Sequence, residues 1–330
     1  MGTSDRVEYD EFGLFHENAA EYGLPYEGPP TVRREHVEVE PGRRLSALVW
    51  GEGDPELVLV HGGAQNAHTW DTVALALRPR PLVAVDLPGH GHSGPPRGHG
   101  RGGLSPRVAA EDVAAVVRQL APNARGVVGM SLGGLTTIAL TDVAPELVRR
   151  VVLVDVLPGL EAAHARHISD FVRGPATFPS FDDILARTVE FNPTRSVSSL
   201  RRGILHNAVQ LDDGSWAWRH ARWRLEHPDG SGAAGEAARP EDAGSPAADA
   251  LSPPTDGTMF DDLFDTLGRI EVPLLLARGM RPDSVLRDGD EAELRRRLPS
   301  ARVVHFDEAG HSIQGDMPVE LAATIREFIP

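Results

Sequence analysis

A series of short, uninterrupted apolar runs sets the tightest limit on how this chain can fold. Leu57-Val58-Leu59-Val60, Leu82-Val83-Ala84-Val85, Val127-Val128, Val151-Val152-Leu153-Val154, Leu274-Leu275-Leu276-Ala277 and Val303-Val304 show no polar alternation. Such runs read as strands covered on both faces. Helix-compatible stretches separate them: Trp70 to Leu77, Pro106 to Leu120 behind a candidate N-cap at Ser105, Leu135 to Leu140, Asp290 to Leu298 and Val319 to Ile329. Strand and helix in alternation predict an α/β fold, a doubly wound and mostly parallel sheet with helices on both sides. Ahead of it, the alternating His36 to Glu40 and the run Leu45 to Trp50, divided by Pro41-Gly42, predict an antiparallel hairpin.

The rhythm stops at Pro158-Gly159 and resumes at Phe260. Between them the chain reads as short amphipathic helices, Phe181 to Phe191 and Ser199 to Leu211, with a turn at Asp212-Asp213-Gly214. Residues 228–257 are mainly Gly, Ala, Pro, Asp and Ser, too poor in large apolar side chains to offset their ordering entropy, and predict a disordered loop. The expected organisation is an N-terminal arm over 1–35, a core over 36–158 and 260–330, and an inserted helical cap over 159–259. Trp216, Trp218 and Trp223, with Arg219, Arg222 and Arg224, either pack that cap or line a pocket beneath it.

Composition removes several classes of function. The absence of cysteine excludes disulfides, thiolate metal sites and cysteine nucleophiles. A formal charge of −15, with all 33 basic residues arginine, argues against nonspecific nucleic-acid binding and against docking on an anionic membrane. No apolar run approaches the roughly 20 residues of a membrane helix, and Met1 to Glu11 lacks the apolar region of a secretory signal. A cytoplasmic protein acting on a small molecule is expected, with its oligomeric state open. No Gly-x-Gly-x-x-Gly follows a first strand, so no dinucleotide is implied, and His90 and His92 lack the carboxylates of a metal site. No cofactor and no metal are expected.

The chemistry centres on Gly129-Met130-Ser131-Leu132-Gly133. Ser131 falls between a predicted strand and a predicted helix, a tight turn that strains its central residue and needs small neighbours two positions away on either side. The hydroxyl is thereby lifted clear of the sheet. The N–H of Leu132 sits at a helix N-terminus, where it can stabilise an oxyanion. A serine is a weak nucleophile without a base, and of the 14 histidines His311, in the loop between the last strand and the last helix, suits that role. In a parallel sheet this loop and Ser131 share the C-terminal edge.

Together with His61-Gly62-Gly63 after an early strand, Asp86-Leu87-Pro88-Gly89-His90-Gly91-His92-Ser93, and Ala309-Gly310-His311, these features resemble the α/β-hydrolase superfamily over about residues 43–160 and 260–330. The resemblance implies a Ser-His-Asp triad and a second oxyanion donor at Gly63, or Ala64, beside Leu132. It implies a structural role for Asp86 to Ser93. For the acid it offers Asp155, closing the strand 151–154, or Asp283, after the strand 274–276. Asp283 stands one residue beyond the usual spacing, since Pro282 lies three residues after Gly279. A carboxylate ending a buried strand must be paired, which places Asp155 ahead. The implied function is a serine hydrolase cleaving a carboxylic ester or lactone of a small to medium hydrophobic substrate, which the cap shields from water. Hydrolysis of a carbon–carbon bond on the same triad, or ligand binding without catalysis, are the alternatives.

Overall fold

The computed structural model describes residues 7–97, 105–159, 170–171, 174–221 and 258–330. The strands in chain order are β1 (Val32–Glu40), β2 (Arg43–Trp50), β3 (Leu57–Val60), β4 (Leu82–Val85), β5 (Gly126–Met130), β6 (Val151–Val154), β7 (Thr177–Phe178), β8 (Ala208–Gln210), β9 (Trp216–Trp218), β10 (Leu274–Gly279) and β11 (Arg302–Phe306). All but β7, β8 and β9 form one sheet ordered β1-β2-β4-β3-β5-β6-β10-β11. β2 is antiparallel to β1 and β4; every other pairing is parallel. The predicted hairpin turns at Gly42 (φ +76°), but β1 starts earlier than expected because Val32 to Glu35 pair with Trp50 to Ala47.

The continuous apolar runs are explained by cores on both sides. Val58, Val60, Val83 and Val85 face one cluster, built with the helices Pro106–Leu120, Leu132–Val143 and Thr258–Gly268. Leu57, Leu59, Leu82 and Ala84 face the other, with the helices Phe15–Glu21, Asp71–Leu77 and Pro318–Phe328. Successive side chains of a strand point to opposite faces, so a doubly covered strand has no polar position. The helix Pro106–Leu120 begins as predicted, with Ser105 Oγ accepting the Val108 N–H at 3.3 Å. Among the described residues no helix is long and apolar enough to cross a membrane.

The segment between β6 and the helix Thr258–Gly268 differs in part from its helical expectation. The helices Phe181–Phe191 and Val197–Asn207 are present, capped by Ser180 and Ser196. The second stops at Asn207, short of Leu211, because β8 and β9 pair as a hairpin, with β7 joining the far edge of β9. Trp216 packs edge-on to Phe181 at 5.0 Å and Trp218 to Phe178 at 5.9 Å, so alternate aromatics of a strand fill a small core here. Trp223, Arg222, Arg224 and the loop read over 228–257 lie outside the described residues.

The N-terminal arm binds both parts together. Phe15 is buried with its ring 4.8 Å from Trp50, and the Tyr22 hydroxyl donates to the Gly315 carbonyl at 2.8 Å. On the inserted segment, Tyr9 meets His206 Nδ1 at 2.7 Å and Glu21 pairs with Arg202. Phe15→Ala should therefore lower stability by about 3–5 kcal/mol, the usual cost of deleting a buried aromatic ring. Urea unfolding followed by tryptophan fluorescence measures this; a loss below about 1 kcal/mol would mean that the arm does not hold the fold together.

Candidate active site

β5 ends at Met130 and the next helix starts at Leu132, so Ser131 alone makes the turn, with φ +50° and ψ −121°. That conformation is costly for a residue with a side chain and persists only where the surroundings enforce it. The flanking glycines provide the space. A Cβ on Gly129 would stand 2.4 Å from the Gly133 carbonyl oxygen, and one on Gly133 would stand 2.3 Å from that of Val60. Their smallness thus serves the close crossing of backbones around the serine, more than the serine's own clearance. Ser131 O accepts the N–H groups of Gly134 at 2.8 Å and Leu135 at 3.0 Å, which starts the helix. The N–H groups of Leu132, at this turn, and of Gly63, in the loop after β3, have no acceptor among the described residues.

The loop after β11 brings His311 to Asp155, with Nδ1 3.0 Å from Oδ2. Asp155 is fully buried, with φ +46°, directly after β6. Its carboxylate also accepts from Gly279 N at 3.0 Å, Ser284 Oγ at 2.7 Å and Val285 N at 3.1 Å. Asp283 is exposed, with its carboxylate against Gly310, where an added Cβ would lie 2.0 Å from Oδ2. The loop after β10 thus does reach the histidine's partner, through Ser284 and the Val285 N–H. Ser284 escaped the sequence reading; its signal was the one-residue misfit of the neighbouring Asp283.

The loop Gly62 to Asn66 forms the opposite wall. Gly62 N donates to Gln65 Oε1 at 3.1 Å, and a Cβ on Gly62 would meet Met130 Sδ at 2.5 Å. Ala64 N donates to His90 Nε2 at 3.0 Å, so of the two N–H groups considered beside Leu132 only that of Gly63 is uncommitted. His90 is a neutral acceptor, its pKa pushed down to about 3 by burial, with Nδ1 on the Pro88 carbonyl at 3.0 Å. Asp86 accepts from Ala67 N and His92 N and pairs with Arg34 at 2.8 Å. From the inserted segment, Asn207 Nδ2 donates to the Ala64 carbonyl at 2.6 Å, while Asn66 Nδ2 donates to that of His206 at 3.0 Å. Ser131, His311, Gly63, Met130, Phe171 and Phe191 face one cavity of about 110 Å³. The Ser131 hydroxyl makes no hydrogen bond to a described residue and stands open to that cavity.

Comparison with known proteins shows the family. A model described as the alpha/beta hydrolase family matches residues 57–324. An esterase of Mycobacterium tuberculosis (strain ATCC 25618 / H37Rv), Rv0045c, is 40% identical over 334 residues, covering 99% of this chain and 98% of that protein. The crystal structure of that esterase superposes with a TM-score of 0.75 at 38% identity, over 97% of this chain and 98% of the other. A pimeloyl-(acyl-carrier protein) methyl ester esterase of Pectobacterium carotovorum subsp. carotovorum is 36% identical over 122 residues, which is 36% of this chain and 44% of that protein.

Beside the cavity lies one grouping of metal-type donors among the described residues, His68, Asp71 and His206. His68 Nδ1 is 2.9 Å from Asp71 Oδ2 and Nε2 is 3.1 Å from Glu11 Oε1, while the His206 ring stacks on it at 3.8 Å. Burial would lower the His68 pKa, but the Asp71 charge and the bonds to Asp71 and Glu11 outweigh it and raise the value to about 9. Both nitrogens of an imidazolium carry protons, so a cation here would have to displace those shared with Asp71 and Glu11. A histidine whose pKa rises on folding stabilises fully below its ordinary value near 6.5 and loses that contribution as pH rises through about 9. Relative to His68→Gln, the native protein should lose urea resistance between pH 6.5 and 9.5. Parallel curves for the two proteins would show that His68 enters the fold uncharged.

Proposed function

The chain belongs to the alpha/beta hydrolase family, and from that footing we propose that it is a serine esterase splitting a carboxylic ester or lactone through an acyl-enzyme on Ser131. The observation that carries this reading is the 3.0 Å contact between the buried Asp155 and His311, which lines the same cavity as Ser131. The similarity to a mycobacterial esterase over nearly the whole of both chains supports the ester as the bond attacked.

With Nδ1–H held on Asp155, the other nitrogen of His311 carries the lone pair, the tautomer a general base needs. It takes the Ser131 proton as the oxygen attacks the carbonyl carbon, and Asp155 stabilises the resulting imidazolium. Charge moves to the carbonyl oxygen, where the Leu132 and Gly63 N–H groups receive it; each such donor is worth roughly 10²- to 10³-fold in kcat. His311 returns the proton to the leaving alcohol, then activates water against the acyl-enzyme. Phe171, Phe191 and Met130 in the cavity wall favour an apolar group of small to medium size next to the scissile bond.

Intact-mass analysis after reaction with a fluorophosphonate should find one adduct on the native chain and none on Ser131→Ala, with His311→Ala strongly slowed. With a short-chain aryl ester, Asp155→Asn should lower kcat roughly 10³- to 10⁴-fold, as expected when the histidine loses its orienting acid. Asp283→Asn should stay within about two-fold of the native rate. Loss of turnover in Asp283→Asn alone would transfer the acid's role; a folded native chain that neither labels nor hydrolyses esters would remove the esterase reading.

A further inference from the structure

A second cavity, of about 160 Å³, lies against the catalytic one; Ala64, Gln65, Phe171, Asn192 and Ser312 belong to the walls of both. Its interior leaves hydrogen-bonding capacity unused. Asn18 Oδ1, Asp71 Oδ1, Gln314 Oε1, His206 Nε2 and Arg195 Nε are buried without a hydrogen-bond partner, His206 Nε2 standing 3.7 Å from Asp71 Oδ2, and all five residues line it. Asn18, Asp71, His206 and Gln314 are each more than nine-tenths buried. Buried polar atoms are costly when unpaired, so a cluster of them around one space marks a place for a polar ligand. The Asn18 and Gln314 amides leave one atom unpaired in either orientation, and turned about they offer donors.

The sign of the charge comes from the same wall. Its cations are His68, Arg195 and Arg202, and its one carboxylate is Asp71. His68 is held between Asp71 and Glu11, and Arg202 is paired with Glu21. Arg195 has no carboxylate within 4.0 Å among the described residues; its side chain makes one hydrogen bond, from Nη2 to Ser199 Oγ at 2.6 Å. The guanidinium is seated against Gly315, where an added Cβ would come within 2.9 Å of Cζ, a few residues beyond His311. Glu21 and Asp316 feel its charge from further away, but neither pairs with it directly. An arginine fork without a direct carboxylate partner, in a cavity that adjoins the one Ser131 lines, is suited to a carboxylate.

We propose that this chamber binds a carboxylate on the substrate arm remote from the scissile bond, through Arg195, and that the preferred substrates are short esters bearing a second, free carboxyl group, such as half-esters of dicarboxylic acids. The inference rests on the esterase reading for its chemistry, but its binding step can be read without turnover. The apolar walls around Ser131 accept the methylene spacer, and Arg195 selects what lies at its end.

Two measurements on the full chain test it. Isothermal titration calorimetry should show glutarate binding the native protein at least ten-fold more tightly than pentanoate, a preference that Arg195→Gln abolishes and Arg195→Lys restores in part. Equal affinities for the two acids, or a preference that survives in Arg195→Gln, overturns the proposal whether or not any ester is hydrolysed. For turnover, the ratio of kcat/KM for 4-nitrophenyl hydrogen glutarate to that for 4-nitrophenyl pentanoate should fall about 10- to 100-fold in Arg195→Gln, the range expected for one charge-assisted pair. A purely structural role for Arg195 would lower both values and leave the ratio unchanged, which also overturns it. Failure of the esterase reading itself would appear separately, as absent fluorophosphonate labelling of Ser131 in a protein that still binds glutarate.

Discussion

The carboxylate of Asp155 is the junction on which the rest of the site depends. A charge buried there without partners would be prohibitive, and four donors meet it: the end of β10 through Gly279, the loop beyond through Ser284 and Val285, and the final loop through His311. The carboxylate is therefore a structural tie. Its backbone N–H bonds the Ala277 carbonyl at 2.8 Å, which keeps β6 and β10 together to the point where the chain leaves the sheet. The loop can come this close because Gly279 has no side chain; a Cβ there would stand 2.2 Å from the Gly310 carbonyl oxygen.

The wall facing this tie is organised from outside the sheet. Asn207, at the end of a helix of the inserted segment, holds the Ala64 carbonyl, while His90 takes the Ala64 N–H. The same helix end presents His206 to Tyr9 of the arm and stacks it on His68. Arm, insertion and core thus share one polar seam beside the cavity that Ser131 lines. Substituting a residue in that seam acts on the position of the Gly63 N–H as well as on stability, because the loop's backbone is bonded from both sides.

Charge is partitioned within the seam. Burial pushes His206 and His90 toward the neutral form, whereas His68 stays protonated because carboxylates contact both of its nitrogens. Glu11 is held down to about 2, its own burial outweighed by hydrogen bonds from His68 and Arg34. Arg195 alone among the cations of the second cavity lacks such a partner, which is why the preference for an acidic substrate arm is assigned to it and not to Arg202 or His68.

Much of this was legible in the chain itself. Uninterrupted apolar runs specify strands covered on both faces, because a strand with one wet face must alternate; the parallel sheet and the flanking helices follow from that. The strained turn at Ser131 could be read because a serine between glycines, at the end of such a run, has few other uses. Contacts distant in sequence could not be read. Asp155 and Asp283 were both acceptable as the acid, and only the packing of the loop Met280 to Leu286 puts Ser284, not Asp283, toward the buried side. The strands at Ala208–Gln210 and Trp216–Trp218 were likewise hidden, since an isolated hairpin is marginal and forms here around a tryptophan–phenylalanine core that the local pattern does not display. Local periodicity determined which segments are strands and helices and where the chain turns at Ser131; the partner of His311 and the second cavity were decided by tertiary packing, because each depends on side chains separated by more than a hundred residues whose meeting no local spacing encodes.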